Sequence, residues 1–134
     1  VLEDALNSAL GQIVSYELKM DLIETKAGSL ELVTRVVDEL GEREVKSLSG
    51  GQKVMLKLAR ILTIAAYLKV PCLLLDETIN NLDQQAVGQI SQLLESFVKK
   101  QRMKLYVVTH SSQIQDLSIW DETIALEREK DKEE

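Results

Sequence analysis

Apolar residues at Leu2, Ala5, Leu6, Ala9, Leu10 and Ile13 recur at helical spacing, which predicts a helix over residues 1–15 with one apolar stripe. No capping residue precedes it, so it reads as the end of a longer helix. Leu2, Leu6, Leu10 and Ile13 are expected to pack on a neighbouring helix of a coiled coil. The pattern then changes period. In residues 16–24, Leu18, Met20 and Leu22 alternate with Glu17, Lys19 and Asp21, and residues 30–37 are rich in β-branched side chains. A polar KAGS turn containing Gly28 separates them, so the two runs predict a hairpin. A charged loop, EREVK, follows Gly41.

Residues 51–69 return to helical spacing, with Val54, Leu58, Ile61, Leu62 and Ala65 on the inner side. The one proline, Pro71, separates this helix from CLLLD, a short apolar run suited to a buried parallel strand. A helix over 83–101, a strand over 104–109, a short polar helix and a last strand near Thr123–Leu126 follow. From residue 50 the order is α-β-α-β-α-β, which predicts an α/β fold with a parallel sheet flanked by helices. Trp120 and Tyr106 are expected in or near the core.

Composition narrows the class. With 134 residues, 45% of them hydrophobic and 28% charged, the chain has the make-up of one globular domain or one lobe of a larger one. A single cysteine, Cys72, excludes an internal disulfide and points to a reducing compartment. No apolar run approaches membrane-spanning length, and the first residues lack the pattern of a signal peptide. The net charge of −6 is uneven: −5 over residues 1–48, +1 over 49–126 and −2 over the tail 127–134. An acidic chain is a poor match for nucleic acid by charge alone. The one basic cluster, Lys99, Lys100, Arg102 and Lys104, reads as a solvated helix end. The tail, EREKDKEE, is expected to be disordered.

Three segments carry chemistry. SLSGGQK, residues 47–53, stands at the start of the long helix. Ser49 is a good cap, Gly50 and Gly51 permit a tight turn, and the helix start offers bare N–H groups that suit a phosphate. Taken alone, the segment suits an ordinary helix start equally well. CLLLDE, residues 72–77, ends a buried strand in two acids, at the edge where α/β folds place ligands. Asp76 there suits Mg²⁺ through its water shell, and Glu77 suits a general base for water attacking a phosphoryl group. A helix-capping acid is the plainer alternative. LYVVTH, residues 105–110, ends the neighbouring strand in His110, the chain's one histidine, on the same edge. From there it could hydrogen-bond a phosphate or the attacking water.

In this order the segments resemble the C-terminal half of an ABC-type ATPase head. Ser49-Gly50-Gly51-Gln52 match the signature, Leu73–Asp76 the Walker B strand and Glu77 the catalytic glutamate. Asn81-Leu82-Asp83 match the D-loop and His110 the switch histidine. Within that family the chain resembles the SMC/SbcC-like group, whose head is interrupted by a long coiled coil. DETINNLD leans toward the repair type in its last three residues, and departs from both types at Thr78, where transporters and repair ATPases usually have proline.

The resemblance implies residues 1–15 as the end of a coiled-coil helix, 16–126 as the C-terminal lobe and 127–134 as a charged tail. It implies ATP and Mg²⁺ as cofactors, with Asp76 at the metal and Glu77 and His110 catalytic. Ser49, Gly50, Gly51, Gln52 and Asp83 would contact ATP in trans. No GxxxxGK[ST] loop and no convincing Q-loop occur in the sequence. The implied partners are therefore an N-terminal lobe carrying both and a second identical head. By the same resemblance they extend to a repair nuclease and DNA, in the cytoplasm or a eukaryotic nucleus, with no membrane. The whole would hydrolyse ATP to move the heads in double-strand-break repair or chromosome maintenance. The alternatives are another ABC class, a transporter or translation factor, or a non-catalytic dimerisation scaffold. Lys53, Lys57 and Arg60, on one helix face, are candidates to transmit nucleotide state to the coiled coil or to DNA, or form a solvated charged face.

Overall fold

A computed structural model describes residues 1–80 and 82–126. The tail 127–134 lies outside them. Helix α1 spans Leu2–Leu10, followed by an antiparallel sheet of β1 (Glu17–Glu24), β2 (Leu30–Asp38) and β3 (Gly41–Glu44). A 3-10 turn, Val45–Ser47, leads to α2 (Gly50–Tyr67). Then come β4 (Cys72–Asp76), α3 (Gln84–Gln101), β5 (Lys104–Val108) and the single turn α4 (Ser112–Gln115). β4 and β5 pair in parallel, Cys72 opposite Lys104 through Asp76 opposite Val108.

The predicted hairpin is β1–β2, with Gly28 at φ 77° in its turn, where a side chain would be strained. The expected charged loop after Gly41 is instead a third strand. Its GERE sequence pairs with β2 in register Arg35–Glu44 to Asp38–Gly41, and Arg35 bonds Glu42 at 2.8 Å. That hydrogen bond and charge hold the Glu42 carboxyl below its usual range. Complementary charge across the ladder thus supplies what β propensity lacks.

Helix α1 is shorter than expected and packs differently. It stops at Leu10, and Leu6 and Leu10 are fully buried in the lobe's own core, with Leu2 and Ile13 packed against it. Its polar side chains explain the docking. Asn7 donates to Leu18 O and accepts from Leu18 N, each at 2.8 Å, as a neighbouring strand would. Glu3 accepts from Met20 N at 2.5 Å. These bonds cover the free edge of β1. We expect Asn7→Ala to lower stability by about 1–2 kcal/mol, because both Leu18 backbone groups lose partners. Denaturant unfolding of the two proteins checks this.

Helix α2 buries a broader stripe than expected: Met55, Leu56, Leu58, Ala59, Leu62, Thr63 and Ala65. Val54 and Ile61 are half-buried at its margin. Arg60 is not part of a free charged face, because its Nη2 donates to Thr34 Oγ1 on β2 at 2.5 Å. Lys53 and Lys57 remain exposed.

Leu75 is buried in the core, and Leu73, Leu105 and Val107 pack against it. The opposite face of the β4–β5 sheet is open, with Leu74 62%, Tyr106 54% and Val108 40% exposed and Cys72 beside them. The fully buried strand and the core Tyr106 expected from the sequence are therefore corrected: the described residues cover one face only. The strand expected near Thr123–Leu126 does not form, and that segment is exposed coil. Trp120 is half-buried, with its indole N–H donating to Ile114 O at 2.7 Å.

Candidate functional site

The parallel register fixes the first half of the site. Glu77 N donates to Val108 O at 2.9 Å, so the chain leaves β4 beside the end of β5, and His110 follows two residues later. His110 Nε2 lies 3.1 Å from Glu77 Oε1. The contact is an ion-pair distance rather than a hydrogen bond, so Oε1, which is buried, has no hydrogen-bond partner. The imidazole is 94% exposed and free to meet a ligand. Glu77 adopts φ 49°, a left-handed conformation rare for a side chain of its size. Such strain needs support, and two neighbours give it. Asn80 Nδ2 donates to Glu77 O at 2.8 Å and to Glu77 Oε2 at 2.9 Å, and Ile79 is fully buried beneath the loop. Glu77, Asn80, Leu82, His110 and Ser111 line an open cleft of about 550 Å³.

Asp76 ends β4 on its exposed side. Neither Asp76 nor Glu77 caps a helix; that duty falls to Asp83, whose Oδ1 accepts from Ala86 N at 2.7 Å. Among the described residues no three or more His, Cys, Asp or Glu gather as a metal cage. One exposed carboxylate fits Mg²⁺, which keeps much of its water and takes its remaining oxygens from phosphate.

The second half lies where α2 and α3 begin. Ser49 caps α2 in a capping box: its Oγ accepts from Gln52 N at 3.3 Å, and its N–H donates to Gln52 Oε1 at 3.0 Å. Gly50 and Gly51 are already helical rather than in a special turn. A side chain on Gly50 would meet nothing within 4 Å, whereas one on Gly51 would lie 2.9 Å from Ala86 Cβ on α3. The two glycines thus serve different ends: Gly51 lets two helix starts touch, and Gly50 leaves an open approach to their N–H groups.

Ser49, Gly51, Gln52 and Asp83 line one small polar cavity of about 130 Å³, with Tyr16 and Gln89. Sequence reasoning missed Tyr16. It is 6% exposed, its hydroxyl has no protein partner, and burial pushes the phenol up from its usual range. A tyrosine opening a strand carries no sign of this in the sequence, because, apart from its neighbours Val14 and Ser15, the walls come from residues more than thirty positions away. A further concavity, about 660 Å³, lies away from all of these groups, between α1 and the ends of α2 and α3.

Six of the eight predicted residues gather in two places, and Asp76 and Gly50 line neither. Glu77 and His110 share one cleft; Ser49, Gly51, Gln52 and Asp83 share another cavity.

Comparison with known proteins gives a consistent picture. No family model matches the chain. It is 38% identical over 77 residues to the thiamine import ATP-binding protein ThiQ of Aliivibrio fischeri, covering 58% of this chain and 31% of that one. It is 30% identical over 95 residues to the DNA double-strand break repair Rad50 ATPase of Archaeoglobus fulgidus, covering 69% of this chain and 11% of that one. The chain thus spans well under half the length of these relatives. Among solved structures, one from work on ATP-driven dimerisation and DNA-stimulated activation of SMC ATPases superposes with a TM-score of 0.76 at 18% identity. That match covers 96% of this chain and 78% of the other. The relatives are named as an ATP-binding protein and an ATPase, and the superposed structure comes from work on SMC ATPases. Among the described residues, no helix is long and apolar enough to cross a membrane.

Proposed function

We propose that this chain, which carries the fold of the C-terminal lobe of an SMC-type ATPase head, supplies complementary parts of two composite ATP sites. One observation carries the reading: the Glu77–His110 cleft and the Ser49–Asp83 cavity are separate, with no lining residue in common. A single nucleotide-binding lobe would gather these groups at one place. Groups divided this way suit two nucleotides, one bound beside Glu77 and one presented by an opposite head.

The roles follow from chemistry. Asp76 would hold Mg²⁺, which when bound neutralises phosphate charge. The Glu77 carboxylate takes the proton of the attacking water, and His110 contacts the terminal phosphate. In the second site, Ser49 and the N–H groups of Gly50 and Gly51 receive the terminal phosphate from the opposite head. Asp83 reaches across the same junction. Those contacts exist only with the phosphate in place, so ATP favours the closed pair of heads.

The phosphate-cradling loop must come from another lobe. The open face of Leu74, Tyr106 and Val108 supports this, since a parallel sheet is stable when both faces are covered. A coiled coil would enter the lobe at α1, and the tail 127–134 would be a charged extension. Joined to an N-terminal lobe and dimerised, the head would hydrolyse ATP to drive DNA repair or chromosome maintenance, with DNA and a nuclease among its partners. The identity to ThiQ favours a second reading, an ATPase subunit of an import system. A phosphate loop within about a hundred residues upstream, with no coiled coil between, decides for it.

The test mixes this chain with a chain bearing the complementary lobe. ATP turnover and an ATP-dependent dimer by light scattering are expected only in the mixture. Turnover by this chain alone, or a mixture inert by both measures, defeats the proposal.

A further inference from the structure

We infer that Asn80 is a positioning residue for Glu77, setting which carboxylate oxygen acts as the base. The inference deepens the function proposed above and rests on it for its catalytic consequence. Its structural part stands on distances alone. The Asn80 side-chain amide carries two protons on one nitrogen, and both are used on the same neighbour. One bond runs to the Glu77 carbonyl at 2.8 Å, the other to Glu77 Oε2 at 2.9 Å.

The clasp fixes two things together. Its backbone bond holds Glu77 in the left-handed conformation, φ 49°, which turns the side chain off the end of β4. Its side-chain bond anchors Oε2, so the carboxylate cannot rotate to exchange its oxygens. Oε1 is then left facing His110 Nε2 at 3.1 Å with no other partner. Oε1 is buried beside the exposed imidazole with an unfilled lone pair, so it is the oxygen left able to accept a proton once that ring moves aside and admits water. Asn80 itself is held in place by its neighbour Ile79, fully buried in the core. The loop thus has an apolar foot and a polar clasp one residue apart.

A steric role and a hydrogen-bonding role predict opposite rankings of two variants. Asn80→Asp keeps the shape but replaces the donor with an acceptor, which repels Glu77. Asn80→Ala merely removes the donor. Positioning by hydrogen bonds makes Asp the more damaging change; filling space makes Ala the more damaging one.

His110 is the chain's one histidine, so its imidazole resonances report on Glu77 without ambiguity. Nuclear magnetic resonance spectra of the 134-residue chain would compare wild type, Glu77→Gln, Asn80→Ala and Asn80→Asp. Both Asn80 variants should displace the His110 signals, the Asp variant further. In the assembled head, turnover should fall about 10- to 100-fold with KM for ATP unchanged, again more for Asp. His110 signals that respond to Glu77→Gln but to neither Asn80 variant overturn the inference. So does an Asp variant that behaves as wild type. Should the assembled head show no turnover at all, the ATPase reading falls, and the His110 spectra still decide the clasp.

Discussion

Glu77→Gln is expected to lower ATP turnover by about 10²- to 10⁴-fold in the assembled head, while leaving folding and nucleotide binding intact. The structure says why the two effects separate. Glutamine keeps the length of glutamate, and its side-chain carbonyl can still accept from Asn80 Nδ2, which bonds Glu77 Oε2 at 2.9 Å. The backbone bond from the same amide, at 2.8 Å, does not involve the side chain, so the left-handed turn stays. What is lost is the proton acceptor facing the cleft, because an amide does not take up a proton in this range. The thermal midpoint should therefore stay near that of wild type. Dimerisation should persist, because the groups proposed to hold the opposite head's phosphate lie in the other cavity. The variant should accumulate as an ATP-bound dimer that decays slowly, seen by light scattering and single-turnover kinetics. Turnover at the wild-type rate removes Glu77 as the base. Loss of the dimer together with turnover makes Glu77 a structural residue instead.

How much of this was legible in the sequence depends on the range over which each feature is determined. Ser49 to Gln52, Leu73 to Glu77 and Asp83 are contiguous strings whose local structure follows from neighbours: a cap, an apolar strand, a second cap. Their elements form as read, with helix starts fixed by Ser49 and Asp83. Features set by pairing were not legible. GERE reads as a loop by propensity and becomes a strand only because Arg35 and its neighbours stand opposite. The predicted strand near Thr123–Leu126 needs an edge to join, and the described residues give it none. Helix α1 was overextended because the stripe through Ile13 is indifferent to Gly11, where the helix ends. The left-handed turn at Glu77 leaves no mark in the sequence either, since that conformation ordinarily calls for glycine or asparagine. It is imposed from outside by Asn80 and the buried Ile79.

The three layers from α1 to α2 form one connected body. Asn7 and Glu3 tie α1 to β1, β1 pairs along its length with β2, and Thr34 of β2 holds Arg60 of α2. Gln89 of α3 reaches back to Ile13 O at 3.2 Å. These bonds connect α1 through the sheet to the middle of α2, and connect the segment that follows α1 to α3. Of the candidate coupling residues Lys53, Lys57 and Arg60, Arg60 is a tie within the lobe rather than a free surface charge.

The meeting of those two helix starts gives the other large expected effect. Gly51→Val should destabilise the chain by about 3 kcal/mol, because a first side-chain carbon already lies 2.9 Å from Ala86 Cβ and valine adds two methyl groups. Both atoms sit on helices anchored by buried residues, Met55, Leu56 and Leu58 on α2 and Ile90, Leu93 and Leu94 on α3, so neither can retreat freely. The clash would part the cap at Ser49 from the cap at Asp83 and open the cavity between them. Gly51→Ala should show the same fault in smaller measure, and Ala86→Gly should relieve it, less about 1 kcal/mol for glycine in a helix. Gly50→Ala makes the decisive contrast. Its side chain would meet nothing within 4 Å, so stability should hold or rise slightly, yet the methyl group would stand on the open approach to the helix start. ATP-dependent dimerisation should then fail in a protein that unfolds like wild type. Equal loss of stability in Gly50→Ala and Gly51→Ala contradicts the division of labour between them. A Gly50→Ala head that dimerises normally shows that the approach it blocks is not where phosphate enters.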